Sequence, residues 1–291
     1  MPTRTMEEGF SDFLSRLTPN GTETEAASNH RESILSCLKN NFTVYRLFRT
    51  GSFGNGTSIC GRSDVDYFVS IKTDELKENS ANTLRTIREI LEKRFPSTYI
   101  YVDSPSVVLS FGDGEWERTE ITPADYRSGE VGKFIYEIPD GNQGWMRSSP
   151  DTHNSYVDEI NIKYNYRVKK LIRFIKAWKY FRNVSISSFY LELFTTRYAS
   201  TEESILYYWD IRNIFKKLYD NQLSMMQDQM GISGYISPCK TETQKAYTLS
   251  KLESAMNRSD NALTCFRNGN IEDAFYWWNL LYNGNFPAYR Y

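Results

Sequence analysis

The sequence predicts an α+β protein with two lobes, and three observations carry this prediction. Strand patterns concentrate in the first half of the 291 residues, whereas helical patterns dominate the second half. The length suits one large domain or two lobes. Hydrophobic residues make up 40% of the chain and aromatic residues 15%, enough for a substantial core. We therefore expect a first lobe over residues 1–157, with N-terminal helices, and a helical lobe over residues 158–291.

The elements of the first lobe follow from local patterns. Apolar residues at helical spacing predict helices over 5–17 and 23–42. Residues 49–61 contain four glycines, which is typical of a loop, and the segment 64–71 is rich in β-formers. The rest of this lobe is predicted to contain one helix and three strands. The helix covers 74–95 and ends before Pro96, and the strands follow at 97–103, 106–111 and 115–122.

The second lobe begins with a long, basic, amphipathic segment at 157–183, which predicts one continuous helix. Three further helical patterns follow it, at 187–199, 202–222 and 271–284. No internal repeat or low-complexity linker separates these segments, so we expect them to pack as one helical lobe.

Composition excludes several classes of function. The formal net charge of -1 is unlike that of proteins that grip long nucleic acid, because phosphate neutralisation needs an excess of basic residues. Four scattered cysteines without a CxxC pair and two histidines predict reduced thiols and no structural zinc site. The N-terminus lacks a secretory signal and no apolar run is long enough to span a membrane, so we expect a cytoplasmic protein.

Two aspartates on a predicted strand carry the first chemical signal. Asp64 and Asp66 flank a single valine, and alternation along a strand points both carboxylates to one face. Exposed acids at a strand edge are the alternative interpretation, since an isolated Asp-x-Asp is common. The following segment YFVSI looks buried, however, and neighbouring carboxylates resist desolvation without a cation. Mg²⁺ fits, because it prefers carboxylate oxygens together with substrate phosphates.

The loop that precedes these aspartates supplies the second signal. Gly51 allows close approach of the backbone to a phosphate, and Ser52 adds a hydroxyl donor. A plain turn is the alternative, and the loop lacks the Gly-Lys-Ser/Thr of a Walker A motif. Together, the loop and the Asp-x-Asp strand predict a phosphate cradle beside a divalent-cation site.

Phosphoryl transfer with two metal ions requires a third carboxylate, which we expect from a neighbouring strand. Glu120, in the segment ERTEITPAD, is the candidate. Asp103 and Asp113 are alternatives, although Asp113 lies between two glycines in a predicted turn.

The segments GSFGNGT and SDVDYFV resemble the Gly-Ser and Asp-x-Asp signature of the polymerase-β-like nucleotidyltransferases. More narrowly, they resemble the bacterial CD-NTases, relatives of cyclic GMP-AMP synthase that make cyclic oligonucleotide signals in antiphage defence. The segment TEITPA at 119–124 is similar to the family's third-carboxylate strand, where the acid is often Asp. This resemblance covers most of residues 45–290. It implies a polymerase-β-like core with a mixed β-sheet, completed by the C-terminal helical lobe.

Two segments of the second lobe resemble nucleotide-binding parts of the same family. KLIRFIKAWK at 170–179 is similar to the helix that brings a lysine to the donor triphosphate, which implies Lys176. SSFYLE at 187–192 resembles the segment in which a serine touches phosphate and the next aromatic stacks on a base, which implies Ser188 and Phe189. Pattern alone favours a solvated lysine and a core phenylalanine instead.

The resemblance implies a cyclic oligonucleotide synthase that joins ATP and a second nucleoside triphosphate into a cyclic di- or trinucleotide and releases pyrophosphate. It implies two Mg²⁺ ions, with Mn²⁺ as the alternative, held by Asp64, Asp66 and Glu120, and a separate effector that recognises the product. A linear oligoadenylate synthase or another nucleotidyltransferase is one alternative. A catalytically inactive nucleotide-binding module is the other.

Overall fold

The computed structural model describes residues 3–19, 21–112, 117–127 and 134–290, and confirms the predicted α+β class. The chain divides into two compact units. The sheet unit comprises Pro19–Tyr156 and Asp228–Gly234. The helical unit comprises the residues up to Thr18, Val157–Gln227 and the residues from Tyr235 onward.

The secondary structure agrees with the predicted concentration of strands in the first half of the chain. The helices are α1 (Met6–Leu17), α2 (Gly21–Lys39), α3 (Gly51–Gly54), α4 (Ser80–Arg94), α5 (Pro150–Lys163), α6 (Val168–Phe181), α7 (Ser188–Ser200), α8 (Tyr207–Asp220), α9 (Glu242–Arg267) and α10 (Ile271–Leu281). The strands are β1 (Val44–Arg49), β2 (Val65–Ile71), β3 (Tyr99–Asp103), β4 (Ser106–Phe111), β5 (Glu117–Arg127), β6 (Ile135–Pro139), β7 (Trp145–Ser148), β8 (Met226–Gln227) and β9 (Tyr235–Ile236).

The sheet unit is built on a mixed sheet in the order β1-β2-β5-β4-β3. The long strand β5 is its axis: its first half pairs antiparallel with β4 and its second half with β6, which in turn pairs with β7. Strands β2 and β5 run parallel to each other. One face of the sheet is covered by apolar side chains that include Val65, Tyr67 and Ile121, together with residues of α2 and α4. Alternation therefore leaves the intervening residues of β2 and β5 on the opposite face.

The helical unit includes α1, which the sequence prediction had placed in the first lobe. Phe10 of α1 packs edge-on against Phe174 and Trp278, with ring centroids 5.2 Å apart in both pairs. Phe13 lies 4.5 Å from the ring of Tyr282. These buried aromatic rings pack α1 into the helical unit, whose next segment begins at Val157.

Two predicted helices differ from the structure, and one long helix was not predicted. The predicted continuous helix over 157–183 is divided between α5 and α6, because Asn165 and Tyr166 adopt left-handed backbone conformations with φ of 51° and 61°. The predicted helix over 74–95 begins only at Ser80, after a 3₁₀ turn. Helix α9, of 26 residues, was not predicted. Within the described parts of the chain, no helix combines the length and apolar character that crossing a membrane requires.

Candidate active site

Strand β2 contains Asp66 and begins directly after Asp64. Val65 and Tyr67 are buried in the apolar core, at 4% and 1% exposure, so the residues between and before them face the other way. Asp64 immediately precedes the strand, and its side chain retains 36% of its surface. The buried body of β2 thus holds the two carboxylates at the surface of the sheet.

The predicted loop at Gly51 and Ser52 is a short helical turn, α3, directly against Asp66. The backbone N–H of Thr50 donates to the carbonyl of Asp66 at 2.8 Å, which ties the turn to β2. Gly51 has φ of 54°, and a Cβ added there would lie 1.9 Å from Asp66 Oδ2. The position therefore requires glycine both for its backbone conformation and for the close approach of the carboxylate. The first N–H groups of such a turn have no partner within it and are suited to an anion.

Glu120 lies beside Asp66 in the sheet. The two residues are direct partners in the parallel register of β2 and β5, so their side chains share the face opposite the apolar core. Asp103 lies on the edge strand β3, where it pairs with Ser106 of β4, the strand that separates β3 from β5. Asp113 lies outside the described residues. The register thus places Glu120, rather than Asp103, next to the Asp-x-Asp pair.

The carboxyl of Glu120 is electrostatically strained. Burial, followed by the negative charge of Asp64, raises the pKa of Glu120 from its usual 4.5 to about 7. The charge of Asp103 acts in the same direction, whereas Arg118 opposes the shift. Near neutral pH the chain therefore holds a carboxyl that is only partly ionised, beside another acid, and a cation would relieve this repulsion.

Arg118 is part of this cluster, and the sequence analysis missed it. Its Nε lies 3.6 Å from Asp64 Oδ1, and one of its terminal nitrogens lies 3.5 Å from Glu120 Oε1. Arg118 precedes Glu120 by two positions on β5, so alternation places both side chains on the same face. The spacing Arg-x-Glu in the segment ERTEITPAD was the signal that could have identified it.

The donor set fits a divalent cation of the Mg²⁺ type. Asp64, Asp66 and Glu120 offer only carboxylate oxygens, and the strained carboxyl of Glu120 would be relieved by a bound cation. Within the described residues, however, no three acidic, histidine or cysteine side chains already form a metal-binding cluster. The positive charge of Arg118, which lies close to Asp64 and Glu120, partly offsets the negative charge of these two carboxylates.

Lys176, in the helical unit, is buried rather than solvated. It lies on α6 with 1% exposure, and its Nζ is 3.7 Å from Glu192 Oε2 of α7. A lysine this deeply buried needs a negative partner, and Glu192 supplies one. The solvated lysine that the pattern alone favoured is therefore absent at this position.

The start of α7 holds the other two predicted residues. The Ser187 side chain caps the helix by accepting from the Tyr190 N–H at 3.2 Å, which leaves Ser188 as the first helical residue. Lys179 donates to Ser188 Oγ at 2.5 Å. Phe189 is 38% exposed, so it is not the core residue that the pattern alone favoured. Lys179 was a further polar neighbour that sequence analysis did not single out.

Comparison with known proteins identifies the family of the chain. Residues 4–161, more than half of the chain, match the sequence profile of SMODS, the Second Messenger Oligonucleotide or Dinucleotide Synthetase domain. A probable cyclic nucleotide synthase of Bacillus cereus (strain VD146) is 24% identical over 235 residues, which span 78% of this chain and 69% of the relative. A cyclic AMP-AMP-AMP synthase of Acinetobacter is 24% identical over 245 residues, spanning 78% of this chain and 66% of that protein.

The fold has a counterpart among solved structures. The Escherichia coli MS115-1 protein CdnC, solved with ATP, superposes with a TM-score of 0.75 over 97% of this chain and 98% of CdnC, at 15% sequence identity. The chain belongs to the SMODS family of second messenger oligonucleotide or dinucleotide synthetases, and it is a nucleotidyltransferase of the bacterial CD-NTase class.

Proposed function

We propose that this chain joins ATP and a second nucleoside triphosphate into a cyclic di- or trinucleotide, with release of pyrophosphate, as a signal in antiphage defence. The observation that carries the proposal is the register of Asp66 with Glu120, beside a Gly51 turn too close to Asp66 to accept a side chain. Phosphoryl transfer of this kind needs a triphosphate cradle next to grouped carboxylates. Both parts lie within the sheet unit.

Each group of the sheet unit has a separate task in this reaction. Asp64, Asp66 and Glu120 would hold Mg²⁺ or Mn²⁺, which when bound neutralises triphosphate charge and lowers the pKa of the attacking hydroxyl. The turn at Gly51 and Ser52 offers N–H and hydroxyl donors that orient the donor phosphates. An acceptor ribose hydroxyl then attacks the α-phosphate in line, the bond to the leaving phosphate breaks, and pyrophosphate departs.

In the helical unit, Lys176, Ser188 and Phe189 are proposed to bind nucleotide. The exposed ring of Phe189 supports a stacking role, because a base platform must be accessible. Ser188 lies within a hydrogen bond of Lys179, so a phosphate at this serine would meet a hydroxyl and an ammonium together. Lys176 would contribute positive charge from a buried position, shared with Glu192.

The decisive experiment is product analysis. The purified chain is incubated with all four nucleoside triphosphates and Mg²⁺, the mixture is treated with phosphatase, and the products are identified by mass spectrometry. A cyclic product has no terminal phosphate and survives the treatment. Asp66→Asn should abolish it, because an incomplete carboxylate set cannot hold the cations. The matched control is Asp74→Asn, since Asp74 is an exposed acid paired with Lys72.

The other functions have distinct results in the same assay. A linear oligonucleotide product, which loses its terminal phosphates on phosphatase treatment, would identify the chain as a linear oligonucleotide synthase. Nucleotide binding by calorimetry without pyrophosphate release would indicate an inactive module. Near-normal product formation by Asp66→Asn would refute the assignment of the carboxylates.

A further inference from the structure

The guanidinium of Arg118, on β5, makes only long contacts with the carboxylates beside it. Its contacts with Asp64 and Glu120, at 3.6 Å and 3.5 Å, are long for hydrogen-bonded ion pairs. Its Nε is buried and finds no hydrogen-bond partner within the described parts of the chain. A guanidinium stays charged at all physiological pH values and normally pairs with carboxylates through short, forked bonds. Arg118 is therefore held by charge, without the geometry of a permanent structural pair.

A second arginine of the same strand shows what a structural pair looks like here. One terminal nitrogen of Arg127 lies 2.7 Å from Glu137 and 2.9 Å from Asp125. The Nε of Arg127 also donates to Glu137 at 3.0 Å. Arg127 thus forms short bonds through two of its nitrogens, whereas Arg118, nine positions earlier, makes only long contacts with the acids that face it.

We propose that Arg118 is a resident counter-ion that neutralises Asp64 and Glu120 until a divalent cation displaces it, so that it sets the metal affinity of the free chain. The inference rests on the proposed function, because it assigns these acids as cation ligands. Displacement is feasible, since 37% of the Arg118 side chain is exposed and only long contacts must break. The acids would then exchange one positive partner for another and would not remain unpaired.

The consequence is a free chain with weak affinity for the metal. A cation that arrives alone must compete with Arg118 for two of the three carboxylates. A cation that arrives with a triphosphate brings phosphate oxygens, which are the preferred partners of a released guanidinium. Arg118 would in this way favour loading of the metal together with substrate.

The test measures Mn²⁺ binding at pH 8 by electron paramagnetic resonance, without nucleotide. We expect Arg118→Gln to tighten binding about tenfold, or about 1.4 kcal/mol. Arg118→Lys should stay near the wild-type affinity because it retains the charge. Arg127→Gln is the matched control and should leave binding unchanged. Adding Asp66→Asn to Arg118→Gln should abolish the gain, which localises it to this site.

Other results overturn the proposal. Equal or weaker Mn²⁺ binding by Arg118→Gln would show that Arg118 does not compete with the cation, and so would a gain that survives Asp66→Asn. Failure of the proposed function is distinguishable from both. A wild-type chain that makes the cyclic product while Arg118→Gln leaves Mn²⁺ affinity unchanged refutes only the counter-ion role. A chain that shows the tenfold gain but makes no product refutes only the synthase activity.

Discussion

Replacing Glu120 by glutamine should stabilise the metal-free protein while removing a proposed cation ligand. The carboxyl has a pKa of about 7 in the folded chain against a usual value of 4.5, so folding takes up a proton between these pH values. A group that binds more protons in the folded state loses stability as pH rises. Multiplying the difference between 4.5 and about 7 by about 1.36 kcal/mol gives about 3 kcal/mol of destabilisation above pH 7.

The pH window follows from these two values. Below about pH 4.5 the carboxyl is protonated in both states, and Glu120→Gln should match the wild type. As pH rises toward 7 the wild type should lose stability relative to the variant. Above pH 7 the difference in free energy of unfolding between the two chains should stay at about 3 kcal/mol. The Glu120 side chain is 22% exposed, so solvent screening removes little of this effect.

The assay is urea unfolding in EDTA at several pH values between 4.5 and 8.5, comparing the free energy of unfolding of the two chains. Glu92→Gln is the matched control, because Glu92 is 43% exposed on α4 and pairs with Arg88 one turn away. It should change stability by less than about 0.5 kcal/mol at every pH. A Glu120→Gln chain that is no more stable than wild type at pH 8.5 would refute the electrostatic argument.

Two further predictions test the two units separately. Gly51→Ala should remove product formation, because the new Cβ would displace the Asp66 carboxylate; Gly61→Ala shares a positive φ of 62° but meets open space, so it should retain activity. Activity in both variants would show that the close approach is unimportant. Lys176→Met should destabilise the chain by roughly 3 kcal/mol in urea unfolding, since it removes the ammonium that lies 3.7 Å from the buried carboxylate of Glu192. Lys176→Met with Glu192→Gln should recover part of that loss, and a fully additive loss would contradict the pairing.

The alternation of side chains along a strand predicted those features of the site that depend on a single strand. Alternation in β2 predicted the shared face of Asp64 and Asp66, because burial of Val65 and Tyr67 fixes the strand's orientation. The partnership of Asp66 with Glu120 depends on the parallel register of two strands separated by more than 40 residues. Local spacing carries no information on such a register. Glu120 was selected by the need for a third carboxylate on a neighbouring strand, which left Asp103 and Asp113 as alternatives, and by the family resemblance.

The missed elements have equally physical causes. Helix α9 buries small and polar residues such as Thr248, Ala255 and Ser259, which do not form the apolar stripe that predicts a helix. The break between α5 and α6 depends on the left-handed backbone of Asn165 and Tyr166. Asparagine favours this conformation, but tyrosine does not, so the amphipathic pattern carried only a weak signal for the break. Tertiary packing, rather than local preference, decides both regions.

Function explains why the sheet unit tolerates an unfavourable arrangement of charge. Asp64 and Glu120 repel each other, Glu120 is buried enough to resist ionisation, and Arg118 relieves the repulsion only through long contacts. An apolar or amide side chain in place of Glu120 would fold more easily, and the proposed binding of a cation would explain why the destabilising charge is kept. The same excess of negative charge that lowers the stability of the metal-free chain would attract a divalent cation in the proposed reaction. Stability and metal affinity should therefore change in opposite directions for substitutions at Glu120.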